Sequence, residues 1–454
     1  MSRKGVLGLS SQLKDKLIQQ ALERRLRSTV GDATGTRFKP LASTGVADIA
    51  RDIPEQFYRF HLHPGYQQIR IINDGAARLG IASPFFKQHE GTASATTKIG
   101  GRSLINYGSY NYLGFSGDPV VMGAAKAAID RYGTSVSASR IVSGERPIHR
   151  EFERALARAY DVDDAIVFVS GHATNVTTIG YLFGPKDLII HDALIHNCTL
   201  QGAQLSGAKR LSFAHNDWAA LDGILTEQRR HYERVLIVLE GIYSMDGDFP
   251  DLPKFIDIKR KHRAFLMVDE AHSFGVMGKR GLGIREHFSL AGRDVDIWMG
   301  TLSKSLAGCG GYIAGETALV EHLKFMAPGF LYSVGMAPPL AAASLASLEC
   351  MLREPERVAA LQARGMYFLK QAQFAGIDTG SSSGYAVVPA ITGSSLRAAK
   401  LSHVLFERGI SVQPILYPAV PEKSARLRFF MSYQHTEEQI DETIRILAEE
   451  MQRV

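Results

Sequence analysis

An α/β fold is what this sequence predicts: a large, mostly parallel three-layer domain followed by a smaller α+β lobe. Short β-rich runs recur through the middle of the chain, at Ala165–Val169, Leu188–Ile190, Val235–Leu239, Phe265–Val268 and Ile297–Met299. Stretches of helical periodicity such as Ile148–Tyr160 and Leu252–His262 separate them. Strand and helix in alternation argue for a mostly parallel sheet covered on both faces. From Leu340 the pattern turns helix-rich, then gives a run at Tyr385–Val388, a helix over 395–408 and a last helix over 436–452. No internal repeat is visible.

Taken in order, residues 1–55 differ from the rest. Leu13, Leu17, Ala21, Leu22 and Leu26 recur at helical spacing, with charged residues filling the other positions. This predicts one amphipathic helix over 10–28, then a Gly/Thr/Ala/Ser-rich linker from Gly31 to Val46. The helix reads either as an arm lying on its own dimer or as a docking surface for a partner. Residues 56–115 lead into the core, 116–340 hold the large domain and 341–454 the small one.

Composition sets the outer limits. The 454 residues are 45% apolar and 22% charged, with 43 glycines and 17 prolines, which is ordinary for a globular chain with a sizeable core. Disordered, collagen-like and disulfide-stapled classes are excluded. Cys198, Cys309 and Cys350 are too few and too scattered for a zinc cage or a disulfide framework, so no metal and a reducing, cytoplasmic setting are expected. A net charge of +6 is mild, and no Arg/Lys block with interleaved aromatics suggests nucleic acid. The longest uncharged stretch, Phe325–Leu348, is broken by Pro328, Pro338 and Pro339, so no membrane span is expected.

In parallel α/β sheets ligands gather at the carboxyl ends of strands, so the residues just after each run matter most. After Val169 comes Ser170-Gly171-His172, opening a helix whose free N–H groups could hold a phosphate. After Val268 come Asp269 and, three residues on, His272. After Met299 comes Thr301-Leu-Ser-Lys304, a lysine among apolar and hydroxyl neighbours that would desolvate its amine and lower its pKa. Alone, each has a bland reading as a plain turn, a satisfied ion pair or a solvated charge. The glycine patterns Gly308-Cys-Gly310-Gly311 and Gly278–Gly283 lack the strand–GxGxxG–helix order of a dinucleotide site. Together, a phosphate cradle, an aspartate to pair with a ring nitrogen and an activated lysine are the parts a pyridoxal 5'-phosphate site requires.

An ordered set of further motifs carries a resemblance over residues from about Leu104 to the C-terminus. They are Tyr110-Asn-Tyr-Leu-Gly114, Ser143-Gly144 with His149, Asp192-Ala-Leu-Ile-His196, Glu240-Gly-Ile-Tyr-Ser-Met-Asp-Gly-Asp248, Val268-Asp-Glu-Ala-His-Ser273, Thr301-Leu-Ser-Lys304 and Arg426-Leu-Arg428. In these the chain resembles the α-oxoamine synthases, a branch of the fold-type I pyridoxal phosphate transferases. Members include aminolaevulinate synthase, aminooxononanoate synthase, serine palmitoyltransferase and aminoketobutyrate ligase. The resemblance implies that Lys304 binds the cofactor and removes the amino-acid α-proton. It implies that Asp269 pairs with the pyridine nitrogen, His272 with the ring hydroxyl or the reacting carbonyl, and that His196 stacks on the ring. Ser244 and Thr301 match cofactor-contacting hydroxyls, and Gly171 and His172 match phosphate donors. Arg428 matches the arginine that holds the substrate carboxylate. Asn111, for substrate, and Ser333, for cofactor, fall where the family builds its site from the second subunit of a homodimer.

The departures lie at the acyl-donor end. His172 stands where relatives usually carry Tyr or Phe, and Ala419 where aminooxononanoate synthases have a Thr. Tyr332–Gly335 lacks the second hydroxyl that aminolaevulinate synthases place there, and Ser135, Ser137 and Ser139 replace part of a glycine-rich turn. The implied reaction is decarboxylative condensation of a small α-amino acid with an acyl thioester. The alternatives are aldol cleavage or transamination on the same fold, and a non-catalytic regulatory subunit. The pair His196/His272 argues against the first two, and the presence of Lys304, Asp269, His196 and His272 argues against the third. The predicted N-terminal helix carries five basic residues (Lys14, Lys16, Arg24, Arg25, Arg27) against Asp15 and Glu23. That bias could steer an acidic acyl carrier protein as donor in place of a coenzyme A thioester.

Overall fold

A computed structural model describes residues 53–78 and 80–454 of the chain. The predicted helix over 10–28 and its linker lie outside the described residues. Residues Met1–Asp74 form one unit, whose described part begins with short 3-10 turns at Glu55–Phe57 and Phe60–Leu62 and the start of a helix, Pro64–Arg78. Residues Gly75–Val454 form the second unit.

Its centre is a seven-stranded sheet. After β1 (Thr96–Ile99) and β2 (Arg102–Asn106), which belong to another sheet, its strands in chain order are β3 (Asp164–Phe168), β4 (Leu188–Asp192), β5 (Lys209–Phe213), β6 (Val235–Glu240), β7 (Phe265–Asp269), β8 (Ile297–Thr301) and β9 (Gly311–Gly315). Their spatial order is β3-β9-β8-β7-β6-β4-β5. Neighbours pair in parallel except β9, which runs antiparallel to both β3 and β8. Strand residues alternate between the two faces, so both faces must be apolar if both are covered. Ile190, Ile237, Leu239, Leu266 and Val268 feed one buried cluster, and Ile189, Leu236, Val238 and Met267 feed the other. This produces the three layers.

The sequence reading locates five of these strands and misses β5 and β9. In β5, Lys209, Arg210 and Ser212 are exposed, as befits an edge strand, and the run has no apolar signature. β9 is bounded by glycines because its start passes close to the helix after β3. A Cβ on Gly311 would come within 2.6 Å of Thr174 Oγ1 and 2.7 Å of Gly171 Cα. Leu252–His262 is helical as predicted, and the helix expected at Ile148–Tyr160 starts one residue earlier, at Pro147.

The C-terminal region holds an antiparallel sheet in the order β10-β13-β12, with β10 at Val387–Ile391, β12 at Gln413–Ile415 and β13 at Arg426–Phe430. The strand expected at Tyr385–Val388 therefore begins later, after a turn in which Gly384 has φ +71°. Pro389 lies inside β10, tolerated because β10 is an edge strand. A third sheet joins β1 (Thr96–Ile99) and β2 (Arg102–Asn106) to β11 (Ile410–Ser411), which runs parallel to β2. The segment leading into the core thus shares a sheet with the C-terminal region, a long-range pairing that local periodicity does not encode. No helix among the described residues is long and apolar enough to cross a membrane.

Candidate active site

Strands β4, β6, β7 and β8 are parallel, and β3 runs the same way because β9 is antiparallel to both β3 and β8. Their carboxyl ends therefore share one edge of the sheet. That single fact gathers Gly171, His196, Ser244, Asp269, His272, Thr301 and Lys304 from segments more than a hundred residues apart.

Lys304 follows β8 and lines a cavity of 360 Å³ together with His89, Ser109, Tyr110, Asn111 and Ser303. Burial strips water from its amine and lowers the pKa to about 8, although the carboxylates of Asp269 and Glu240 pull the other way. A larger cavity, of 630 Å³, lies at the opposite edge, where β7 and β8 begin, and contains neither Lys304 nor any of its neighbours.

Asp269 ends β7 and is held at both oxygens. Oδ1 accepts from Ala271 N at 2.9 Å and Oδ2 from Asn175 Nδ2 at 2.8 Å. His272 is buried, and desolvation, with Lys304 and Arg428 adding to it, drives its pKa well down, so the ring is neutral. Its Nδ1 lies 2.7 Å from Tyr112 Oη. Burial also pushes the Tyr112 phenol well above its ordinary value. A phenol that keeps its proton donates to Nδ1, which leaves Nε2–H free to donate. The ring of His272 lies nearly parallel to Phe430, at 6.0 Å between centroids.

His196 caps the helix Asn197–Ser206 and accepts from Cys198 N at Nδ1, 3.3 Å. Its backbone N–H donates to Glu240 Oε1 at 2.7 Å. Burial, reinforced by Asp269, raises the Glu240 carboxyl to about 8. Thr301 Oγ1 donates to Gly310 O at 3.1 Å and lies under the start of helix Gly171–Leu182. There a Cβ on Gly171 would meet it at 2.7 Å. Gly171 and His172 occupy the first turn, where backbone N–H groups have no helical acceptor. The His172 side chain is exposed.

The two arginines of β13 have different fates. Arg426 is buried and paired with Asp246 at 2.6 Å. Arg428 donates from Nη1 to Ser244 O at 3.0 Å and to Met245 Sδ at 3.3 Å, and stacks 4.6 Å over Phe430. Its Nε has no partner and no carboxylate pairs with it among the described residues, and burial lowers its pKa. A guanidinium held in a desolvated place without a counter-charge is suited to an incoming carboxylate.

Asn111 lines the Lys304 cavity, but both ends of its amide are engaged at home: Nδ2 with Ala93 O at 2.8 Å and Oδ1 with Ser116 N at 3.2 Å. Ser333 lines a separate small hollow with Arg140, Phe168 and Met336 and not the Lys304 cavity. Tyr112, Asn175, Cys198 and Glu240 receive no role from sequence reasoning. Tyr112, Cys198 and Glu240 stand within or beside motifs already singled out, and only their contacts mark them.

The residues present fit pyridoxal phosphate. The glycine step at Gly171 leaves backbone donors open where a Cβ would intrude, Lys304 is a lysine of lowered basicity, and Arg428 is an uncompensated cation in the same cluster. The chain matches the family model for aminotransferase class I and II over residues 102–447. It is similar to the 8-amino-7-oxononanoate synthase of Symbiobacterium thermophilum, 38% identical over 83% of this chain and 95% of that one. The 8-amino-7-oxononanoate synthase of Fervidobacterium nodosum is 40% identical over 78% and 89%. Among solved structures, serine palmitoyltransferase from S. paucimobilis with bound PLP-myriocin superposes with a TM-score of 0.82 at 27% identity, covering 86% of this chain and 99% of that one.

Proposed function

The chain belongs to the α-oxoamine synthases, within aminotransferase class I and II, and from that premise we propose that it condenses a small α-amino acid with an acyl thioester. Glycine, alanine or serine is the amino acid, and the products are an α-amino ketone, carbon dioxide and free thiol. The observation that carries this reading is the juxtaposition of Lys304, with its pKa lowered to about 8, and the uncompensated Arg428 at one sheet edge. Pyridoxal phosphate supplies an electron sink for negative charge at the amino-acid α-carbon.

This chain's residues do the rest. The neutral Lys304 amine holds the cofactor and accepts the α-proton at Nζ. Asp269, fixed at both oxygens, keeps a ring nitrogen protonated, and preorganised electrostatic support of that kind lowers the barrier more than any other single effect. The first-turn N–H groups of Gly171 and His172, and the Thr301 hydroxyl once its proton turns from Gly310 O, would hold the phosphate, and Ser244 and His196 would contact the ring. His272, with Nε2–H free, donates to an oxygen of the ring or of the reacting carbonyl. Arg428 binds the amino-acid carboxylate.

The site is completed by a second copy of this chain, which supplies Ser333 to the cofactor, while Asn111, which the resemblance assigns to the second subunit, lines the Lys304 cavity of its own chain and serves the substrate there. Mixed dimers of a Ser333→Ala chain with a Lys304→Ala chain test this, because they should regain activity that neither homodimer has. Mixed dimers as inactive as their parents would remove the shared site. Thiol release with glycine, alanine and serine, against a coenzyme A donor and a carrier-protein donor, identifies the substrates. Oxo-acid or aldehyde formation without thiol release would replace condensation by transamination or aldol cleavage.

A further inference from the structure

Asn175 sits in the second turn of helix Gly171–Leu182, with only 1% of its surface exposed. Its Nδ2 donates one N–H to Asp269 Oδ2 at 2.8 Å and the other to Cys198 Sγ at 3.0 Å. The amide can face the carboxylate only through its NH2 group, since the reverse would set lone pair against lone pair. Its Oδ1 finds no partner among the described residues, so two acceptors on one side outweigh an unmatched acceptor on the other.

Cys198 Sγ in turn lies 2.9 Å from His196 Nδ1, and the Cys198 backbone N–H donates to that same nitrogen. With an N–H aimed at it, Nδ1 is an acceptor, and the ring proton belongs on Nε2. We propose that Asn175 and Cys198 are a positioning pair: one amide fixes the Asp269 carboxylate and, through the Cys198 thiol, holds the ring orientation of His196. The proposal rests on the reading of this cluster as the pyridoxal phosphate site.

The surroundings support it. Burial raises the Cys198 thiol to about 12, so it keeps the proton it donates. Burial lowers the His196 pKa, so the ring is a neutral acceptor. The contact between the two helices is close for a reason in the sequence. A Cβ on Gly202 would lie 2.9 Å from Ile179 Cβ and 3.0 Å from Asn175 O, so only glycine lets helix Asn197–Ser206 approach this far. Asp269 and His196, the two groups expected to meet a cofactor ring, are thereby tied to one buried amide.

Nitrogen-15 NMR of labelled histidine in the cofactor-free protein tests the pair, with His196 assigned by loss of its signal in His196→Gln. The unaltered protein should show the Nε2–H tautomer. Cys198→Ala keeps the backbone N–H at Nδ1 and with it the Nε2–H tautomer, but loss of the thiol donor should shift the His196 Nδ1 resonance and, like Asn175→Ala, weaken pyridoxal phosphate binding at least fivefold. Cys198→Ser, which keeps a donor, should restore both readouts. A proton on Nδ1 in the unaltered protein, or affinity within twofold in both alanine variants, would overturn the pair. If Asn175→Ala does not fold, Cys198→Ala and its serine rescue decide the matter alone. Failure of the unaltered protein to bind pyridoxal phosphate at all would count against the cofactor reading, while the tautomer would still judge the positioning pair.

Discussion

Replacing Arg428 by alanine should separate substrate binding from stability, and its neighbour Arg426 supplies the contrast. Arg428 has no carboxylate partner among the described residues, and its burial already penalises the cation. Removing it forfeits a backbone bond to Ser244 but relieves that desolvation, so the unfolding midpoint should stay or rise. The loss falls on substrate instead: a hydrogen bond to a charged group contributes about 1.5–3 kcal/mol, or roughly ten- to a hundredfold in affinity. Arg428→Lys, which keeps the charge and loses the fork, should fall between. Arg426→Ala would leave the half-buried Asp246 unpaired, and breaking a fully buried pair costs about 3–5 kcal/mol of stability, so a clear loss below that ceiling is expected. The assays are thermal unfolding and the amino-acid and thioester Michaelis constants of all three variants. An unchanged amino-acid constant with a raised thioester constant would assign Arg428 to the other substrate. A large loss of stability in Arg428→Ala would make it structural.

Capture of pyridoxal phosphate by the cofactor-free protein should accelerate as pH rises and level off above about 8, because only the neutral Lys304 amine is nucleophilic and its pKa is lowered to about 8. A rate still climbing at pH 10 would mean an ordinary lysine, and borohydride trapping with peptide mapping would show which one. Asp269→Asn retains an oxygen to accept from Asn175, so folding should persist while turnover falls by about a hundredfold or more. Turnover near the parent's would remove Asp269 from the ring nitrogen.

Much of this is legible in the residues, and what escapes does so for physical reasons. Buried parallel strands such as Val235–Glu240 announce themselves because both faces are covered, so the run is apolar up to its final carboxylate. β5 and β9 do not, the first because its outer residues meet water and the second because glycines replace side chains where backbones crowd. The pairing of β2 with β11 joins residues about three hundred apart, and nothing local encodes it. At the site, Lys304, Asp269, His272 and Arg428 are readable from motif and strand-end position. In the sequence Asn175 is one more polar residue in the helix after Val169, and Cys198 is a scattered thiol. Their importance comes from the packing of two helices at Gly202, a three-dimensional fact.

Condensation requires that one carboxyl carbon leave for each thiol released. Incubating the pyridoxal phosphate-loaded protein with a carboxyl-labelled amino acid and an acyl thioester measures both products in one vessel. Labelled carbon dioxide and free thiol should appear in equal amounts, only when both substrates are present, and not at all with Lys304→Ala. Thiol without labelled carbon dioxide, or either product undiminished in Lys304→Ala, would contradict decarboxylative condensation at this lysine.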